Sequence, residues 1–421
     1  MKILLVNPNQ YQHPPVPPIG LEYIAGDLAS SGHQVQIIDL CFSDDPFREL
    51  DKSISAFRPD VTGVTVRNID TVLYPINEFF LDKIGALIWH IRNCHSTKVI
   101  IGGPGITVNP EGICNYLGAD FAIDGPGEGV MNEIIQGSAQ INNKKIWTSE
   151  YSYEISCHRR SEQIDYNRYI EHGGIAGFET HKGCGSSCVY CIEADTRVSF
   201  RNIPEVISEI KGFIESGVNR FHLCDSEFNE DCDYSLEFLK SLRNSGLAID
   251  WALYMKPSNH SRKLFQLMRE TGVSLITLTV DSWKKCTLYW TDIEKIVFSA
   301  RSNGIRIVLD FLTGFPYEDE DTLKFYLDLF RRLQPDSVAI NTYIRLYKQL
   351  QVTAVILKDK SLQARLTGNR EDRTFIQPVF YNHIESERLR DLLAGDPLFR
   401  IEGRDVDVNY NRKSERSMPA I

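Results

Sequence analysis

From Ile3 to Ile123 the chain alternates short apolar runs with helical stretches, and after a polar interval the alternation resumes near Ile175. The first series has apolar runs at Ile3–Val6, Val35–Ile38, Val61–Val66, Val99–Ile101 and Phe121–Ile123. Helical patterns lie between them, including Leu21 to Ser31 and Phe80 to Arg92. Short, continuously apolar runs joined by helices predict parallel strands, because a strand covered by helices on both faces has no polar side to alternate. Residues 1–135 are therefore expected to form an α/β, doubly wound, Rossmann-like parallel sheet. Such a sheet binds ligands beyond the carboxyl ends of its strands. The loops expected there are rich in Gly, Pro and Asn: Asn7 to Gly20, Arg67-Asn68, Gly102 to Gly105, and Gly125 to Gly129.

Residues 136–174 are polar and weakly periodic, and read as a linker region with local structure. The second series has strands at Ala176–His181, Arg220–Cys224, Ile249–Tyr254, Ser274–Val280, Ile305–Phe311 and Ser337–Asn341. Ile203, Val206, Ile207, Ile210, Phe213 and Ile214 share one helical face, and further helical patterns begin near Tyr234, Ser261, Thr291 and Asp319. Six strand–helix units fall short of the eight that close a full barrel, so residues 175–342 predict a partial (β/α)6 barrel. Residues 343–421 are less regular and read as a small C-terminal cap, with a polar stretch at Ser361–Arg373, aromatic residues Phe375, Phe380 and Tyr381, and a loose tail at Arg412–Ile421.

At 421 residues the chain has room for two or three domains. A net charge of −10 argues against a dedicated nucleic-acid surface, which is normally basic. No run approaches the ~20 apolar residues of a membrane span, and Met1 to Val6 reads as a strand rather than a signal peptide. Ten cysteines without an export signal are not expected to form a disulfide framework, which places the protein in the cytoplasm.

Three of those cysteines stand together. Lys182-Gly183-Cys184-Gly185-Ser186-Ser187-Cys188-Val189-Tyr190-Cys191 spaces its thiols C-x3-C-x2-C, directly after the first strand of the second series. A compact loop of small residues can wrap three thiolates around one iron–sulfur cluster and leave one iron open to an external ligand. A structural zinc site is the alternative, with His181 as a fourth ligand placed awkwardly before the loop. Cys41, Cys94, Cys114, Cys157, Cys224, Cys232 and Cys286 are scattered and read as ordinary core or surface residues.

This cysteine loop on a six-unit barrel resembles the radical S-adenosylmethionine (SAM) superfamily. The resemblance implies a 4Fe-4S cluster on Cys184, Cys188 and Cys191 whose open iron chelates the methionine end of SAM. It places Tyr190 near the adenine. His222 to Asn229 resembles a D-S-E-F-N segment of one branch of the family, which makes Glu227 and Asn229 candidates for the cofactor's polar end or the substrate. Lys256 after the third strand, Asp281-Ser282 after the fourth, and Gly314 in Thr313-Gly314-Phe315-Pro316 are further candidate SAM contacts. Each taken singly is also ordinary turn chemistry.

The first 135 residues resemble the companion domain of the cobalamin-binding branch of that superfamily. The resemblance rests on Pro17-Pro18-Ile19-Gly20-Leu21, Gly32-His33-Gln34-Val35, Gly102-Gly103-Pro104 and Asp124-Gly125-Pro126-Gly127-Glu128. It offers Pro18, Gly20, Arg67, Asn68, Gly102, Gly103, Gly105, Gly125, Gly127 and Glu128 as cobalamin contacts. Glycine-rich loops at a parallel-sheet edge would let backbone approach a large flat ring, although turns also use such glycines. The competing use, a dinucleotide site, lacks a G-x-G-x-x-G after Val6. No D-x-H-x-x-G occurs, so a protein histidine is not expected beneath the cobalt; Arg67 can approach the ring's lower face or pair with Asp70.

The implied activity is a cobalamin-dependent radical SAM C-methyltransferase, acting on a small-molecule or amino-acid-like substrate with an external electron donor such as a flavodoxin or ferredoxin. Radical and nucleophilic methyl transfer both occur in the family. Arg345, just past the sixth strand, can hold a carboxylate bidentately, and joins Arg67 and Glu227 as an expected catalytic position. Alternatives are a rearrangement or cyclisation on the same cofactors, and a non-catalytic cobalamin and iron–sulfur sensor. Transfer-RNA methylthiolation fits poorly, because Cys41, Cys94 and Cys114 are not placed for a second cluster and no small basic domain closes the chain.

Overall fold

The computed structural model describes residues 1–137, 144–149 and 160–403. The expected tail at Arg412–Ile421, Cys157 and parts of the 136–174 region lie outside them. The chain forms two compact units: Met1–Thr71 with Glu78–Gly174 and Asp372–Gln377, and Val72–Asn77 with Ile175–Glu371 and the chain from Pro378 on.

In the first unit, strands β1 (Lys2–Asn7), β2 (Gln34–Asp39), β3 (Val61–Thr65), β4 (Lys98–Gly102) and β5 (Phe121–Asp124) alternate with helices α1 (Ile19–Ser30), α2 (Pro46–Phe57), α3 (Leu81–Cys94) and α4 (Pro110–Leu117). After α5 (Val130–Gly137) comes β6 (Ile146–Thr148), and the all-parallel sheet has the order β2-β1-β3-β4-β5-β6. Strand β1 lies between β2 and β3, and its Ile3, Leu4, Leu5 and Val6 are buried, as coverage on both faces requires. The order reverses at β1, which opens the crevice between the loops after β1 and β3 where such sheets bind ligands.

The region read as a linker contributes β6 and helix α6 (Tyr166–Glu171) to this unit. Arg160 donates through Nη2 to Oε2 of Glu22 on α1 at 2.6 Å, and the Tyr166 hydroxyl donates to the same oxygen at 2.5 Å. Both partners are buried, so the segment is fastened by charge-assisted bonds rather than by an apolar pattern.

The second unit has strands β7 (Ala176–Phe178), β10 (Arg220–Leu223), β11 (Asp250–Met255), β12 (Val273–Asp281), β13 (Arg306–Leu312) and β14 (Ser337–Asn341) in chain order in one parallel sheet. A short hairpin, β8 (His181–Lys182) with β9 (Ser199–Phe200), follows β7. Helices α7 (Ile203–Glu215), α8 (Cys232–Asn244), α9 (Arg262–Glu270), α10 (Thr287–Ser302) and α11 (Glu320–Leu333) make the crossovers. Phe178, Phe238 and Trp251 pack between strands and helices, with the tryptophan ring 5.7 Å from Phe178 and 6.1 Å from Phe238.

Two features differ from the expectation. The first strand stops at Phe178 instead of running to His181, because the amide and hydroxyl of Thr180 bind the side chain of Asp225 and leave the ladder. The end of the chain does more than cap: β18 (Phe399–Ile401) pairs parallel with β14 as a seventh strand. Strands β15 (Ile344–Arg345), β16 (Leu366–Gly368) and β17 (Val379–Tyr381) form a separate small antiparallel sheet, with helix α12 (Gln351–Lys358) between its first two strands.

Candidate functional site

The hairpin β8–β9 carries the three cysteines in its loop. Gly183, at φ +87°, is required there, since a Cβ would meet the Arg197 carbonyl oxygen at 2.0 Å. Thr196 and Cys184 clasp the loop's two ends: the Cys184 amide donates to Thr196 Oγ1 at 2.9 Å, and the Thr196 amide to the Cys184 carbonyl at 3.0 Å. The Gly185 amide donates to Glu230 Oε1 at 2.9 Å, and the Cys191 amide to the Cys188 carbonyl at 3.1 Å. Cys184 is buried and Cys188 and Cys191 half-buried, and all three are free thiols.

The chemistry of this donor set fits a metal cluster. Burial pushes the Cys188 thiol up and the Cys191 thiol up to about 12, so thiolates there need added positive charge. Lys284 Nζ, 3.8 Å from Cys188 Sγ, is the nearby cation. Bound iron would supply the rest of that charge and remove the cost of ionisation. His181 is anchored through its Nδ1, 3.0 Å from Asp225 Oδ2, and its Nε2 is buried without a polar partner. Among the described residues, neither the three thiols nor His181 with two of them bring their ligand atoms within 4.8 Å of one another, as the ligands of a single zinc ion would be.

Glu227 shows what the surrounding strand ends can take. Its Oε1 accepts from Thr279 Oγ1 at 2.6 Å, while Oε2 is buried with no partner. Burial raises this carboxyl to about 8, so a cation is the ligand that would restore its charge. The ammonium of a bound amino acid, including the methionine end of SAM, satisfies that demand. Lys256 Nζ donates to Ser186 Oγ at 3.1 Å in the cysteine loop and pairs with Glu230. Asn229 is more committed than expected: its Nδ2 donates to the carbonyls of Lys256 and Ser258, and its Oδ1 accepts from the Lys256 amide. It shapes the loop after β11 and has one lone pair left for a ligand.

Asp281 is buried and accepts from the Lys284 amide at 3.2 Å, with Lys284 Nζ 3.7 Å away. Ser282 Oγ lies 3.3 Å from Thr313 Oγ1. Glu318 organises the next loop, accepting from the Gly314 amide at 2.7 Å and the Phe315 amide at 2.9 Å. Gly314 stands at φ +88°, where a Cβ would meet the Thr342 carbonyl at 2.3 Å. Tyr190 and Phe315 pack with centroids 5.5 Å apart. Arg345 is buried, its guanidinium 4.7 Å from the Tyr347 ring and 5.8 Å from Phe380, with Nη1 donating to the Leu346 carbonyl. Glu230 and Lys284 were not singled out from sequence; Glu230 follows Asn229 directly, but Lys284 carries no pattern of its own.

In the first unit, the loops after β1, β3, β4 and β5 lie at one edge because the strands are all parallel. Pro18 caps α1 and is buried, Arg67 and Asn68 are exposed, and Glu128 is buried. The glycines divide into two kinds. A Cβ at Gly103 or Gly105 would meet the Val66 carbonyl at 2.8 Å, at Gly125 the Ser149 carbonyl at 2.5 Å, and at Gly127 the Ile24 side chain at 2.7 Å. At these four a side chain has no room within the unit. Gly20 has nothing within 4 Å and Gly102 only Ile123 at 3.9 Å, so these two leave backbone open to a large flat ligand. Gln10, Tyr11, Gln12, His13, Glu78 and His172 line a depression of about 300 Å³ beside the loop after β1.

Two family profiles match the chain: "B12 binding domain" over residues 13–135 and "Radical SAM superfamily" over residues 178–330. The tryptophan 2-C-methyltransferase of Streptomyces laurentii is 25% identical, covering 88% of this chain and 76% of that protein. An uncharacterized methyltransferase of Pyrococcus horikoshii is 24% identical, covering 93% and 91% respectively. Among solved structures, the radical SAM methyltransferase TsrM of Kitasatospora setae, with cobalamin and a 4Fe-4S cluster bound, superposes with a TM-score of 0.83 at 22% identity, covering 93% of this chain and 90% of that one. Across the described residues, no helix is long and apolar enough to cross a membrane.

Proposed function

The chain belongs to the cobalamin-binding branch of the radical SAM superfamily, and on that premise we propose that it is a C-methyltransferase that moves a methyl group from SAM by way of cobalamin to a carbon of an amino-acid-like substrate. The observation that carries the reading is the union, in this order, of an open-edged B12-binding sheet and a three-thiol hairpin loop beside an unsatisfied buried carboxylate. When bound, the cluster supplies an electron, SAM the methyl group and cobalamin its carrier. Cys184, Cys188 and Cys191 hold the cluster, and the clasp of Thr196 and Glu230 on the loop fixes their backbone before it arrives.

Glu227 takes the ammonium of SAM on Oε2, with Thr279 orienting the carboxyl. Lys256, Asp281 and Ser282 stand at neighbouring strand ends, and Glu318 keeps Gly314 in the left-handed conformation that lets backbone lie against the cofactor. Gly20, Gly102, Arg67 and Asn68 meet the cobalamin. Arg345, its guanidinium over the Tyr347 ring, is the candidate to hold a substrate carboxylate. An amino-acid substrate agrees with the tryptophan named for the relative from S. laurentii. A flavodoxin or ferredoxin is the expected electron source.

The test is anaerobic reconstitution with iron, sulfide and hydroxocobalamin, then turnover of SAM labelled at the methyl group with the aromatic amino acids. A product carrying one labelled methyl group on carbon is the expected result. An unlabelled product of altered skeleton would replace the proposal with a rearrangement, and SAM left uncleaved would remove both readings.

A further inference from the structure

Beside the first sheet, three metal-ligating side chains converge that the proposed reaction does not use. Asp51 lies on α2, His90 in the last half of α3, and His95 caps that helix. Nε2 of His90 is 2.7 Å, and Nε2 of His95 2.8 Å, from the same oxygen, Asp51 Oδ1. All three donor atoms lie within 4.8 Å of one another. The imidazoles are largely shielded, at 20% and 16% side-chain exposure, whereas Asp51 is 44% exposed, so the cluster opens to solvent on its carboxylate side.

We propose that Asp51, His90 and His95 form a zinc-type divalent cation site that joins α2 to the end of α3. Two imidazole nitrogens converge on one carboxylate oxygen from two elements, which brings three ligand atoms to one point. Two imidazole nitrogens and a carboxylate are a borderline donor set, the kind that suits zinc among the available divalent ions. Ligands about 2.0 Å from a tetrahedral ion sit roughly 3.3 Å apart. The two N···O separations of 2.7 and 2.8 Å therefore need to open by about half an ångström, and the two nitrogens, within 4.8 Å of each other, to settle at the same spacing, replacing the shared proton contacts with the ion. The open side at Asp51 leaves the fourth position to water.

The surroundings are arranged as an outer shell. Nδ1 of His90 is 3.7 Å from Cys94 Sγ, on the side of the ring away from Asp51. In the metal-free protein the thiol can donate to Nδ1 and Nε2 keeps the proton given to Asp51. In the bound form the proton sits on Nδ1 and points at the sulfur, while Nε2 offers its lone pair to the cation; no net proton is lost from a neutral imidazole. The Phe47 ring meets the His90 ring edge-on, centroids 5.2 Å apart, and limits its rotation.

The test uses the cluster-loaded full chain, so that the cluster cysteines are already occupied, and titrates zinc against a chromophoric chelator. One zinc per chain in addition to the iron is expected, with His90→Ala and His95→Ala each weakening binding beyond the 10- to 100-fold cost of losing an outer-shell partner, and Cys94→Ala weakening it by about 10-fold without changing the stoichiometry. Zinc should raise the melting temperature of the wild type and not that of the double variant, His90→Ala with His95→Ala. Cobalt in place of zinc should give visible bands without the near-ultraviolet charge transfer of a thiolate ligand. An unchanged zinc count in the double variant would overturn the proposal, as would no binding to the wild type at 0.1 mM zinc, on the order of a very weak site; the trio would then be a hydrogen-bonded latch.

Discussion

The carboxylate of Asp225 grips His181 and the residue before it at once, with Oδ2 3.0 Å from His181 Nδ1 and Oδ1 accepting the Thr180 amide at 2.7 Å. It thereby fixes the foot of the hairpin whose loop carries Cys184, Cys188 and Cys191. The His181 and Asp225 side chains are 1% and 0% exposed, so the pair is fully desolvated.

Asp225→Asn should therefore destabilise the barrel unit by about 3 kcal/mol, because it strands a buried partner. For His181, burial lowers the imidazole's pKa, yet Asp225, then Glu230 and Glu179, overcome that and raise it above its ordinary value. The folded state thus holds a proton the unfolded chain gives up. That stability is complete below the ordinary histidine range near pH 6.5 and is lost as pH rises through the elevated folded value. Thermal melts of wild type from pH 6 to 9 should fall along this window, and those of Asp225→Asn should stay flatter.

Glu227 should couple SAM binding to a proton. With its carboxyl raised to about 8 by burial, it is mostly protonated in the empty pocket at pH 7 and ionised opposite an ammonium. Binding of SAM to the cluster-loaded protein at pH 7 should release close to one proton, read from calorimetry in buffers of different ionisation enthalpy. Glu227→Gln should abolish the buffer dependence and weaken SAM by roughly 10-fold or more, the cost of a lost charge-assisted hydrogen bond. A full proton release from the Gln variant would exclude Glu227 as its source.

The cysteines should separate sharply by position. Cys184→Ala, Cys188→Ala and Cys191→Ala should each reduce reconstituted iron and the visible cluster absorbance to a small residue, because three thiolates are the whole protein ligand set. Cys224→Ala and Cys286→Ala, which change exposed thiols outside the loop, should leave the iron count unchanged.

The two kinds of glycine in the B12-binding unit give opposite outcomes. Gly103→Ala places a Cβ 2.8 Å from the Val66 carbonyl at φ +104° and should cost about 1–3 kcal/mol in thermal or urea unfolding. Gly20→Ala meets nothing within 4 Å in a helix and should be neutral or stabilising by roughly 0.5 kcal/mol. Gly20→Phe should then keep the fold and lower cobalamin retention; unchanged retention would show that this edge does not face the corrin.

Much of this was legible from residues close together in the chain. The C-x3-C-x2-C spacing confines three thiols to one loop whatever the rest of the protein does, and Gly183 marks the turn that starts it. The Glu227 assignment came from its segment, but the orphaned Oε2 that gives it meaning did not. The resemblance offered Gly103, Gly105 and Gly125 as cobalamin contacts, and the packing distances add that a side chain at any of them would meet a backbone carbonyl of the fold itself. A motif marks the glycines but not the carbonyls they approach.

The alternation of apolar runs with helical periods, being local, determined by itself the two parallel-sheet units, the crossover order and the place of the cysteine loop. Tertiary structure alone decided the joins between distant segments. Phe399–Ile401 became a seventh strand because β14 offered an unpaired edge, and Ile146–Thr148 extended the first sheet in the same way. Three-residue strands carry too little pattern to read, and edge hydrogen bonds supply their reason to form. The meeting of Asp51 with His90 and His95 depends likewise on how α2 packs beside α3, since contacts across some forty residues are set by helix packing and leave no periodicity in the chain.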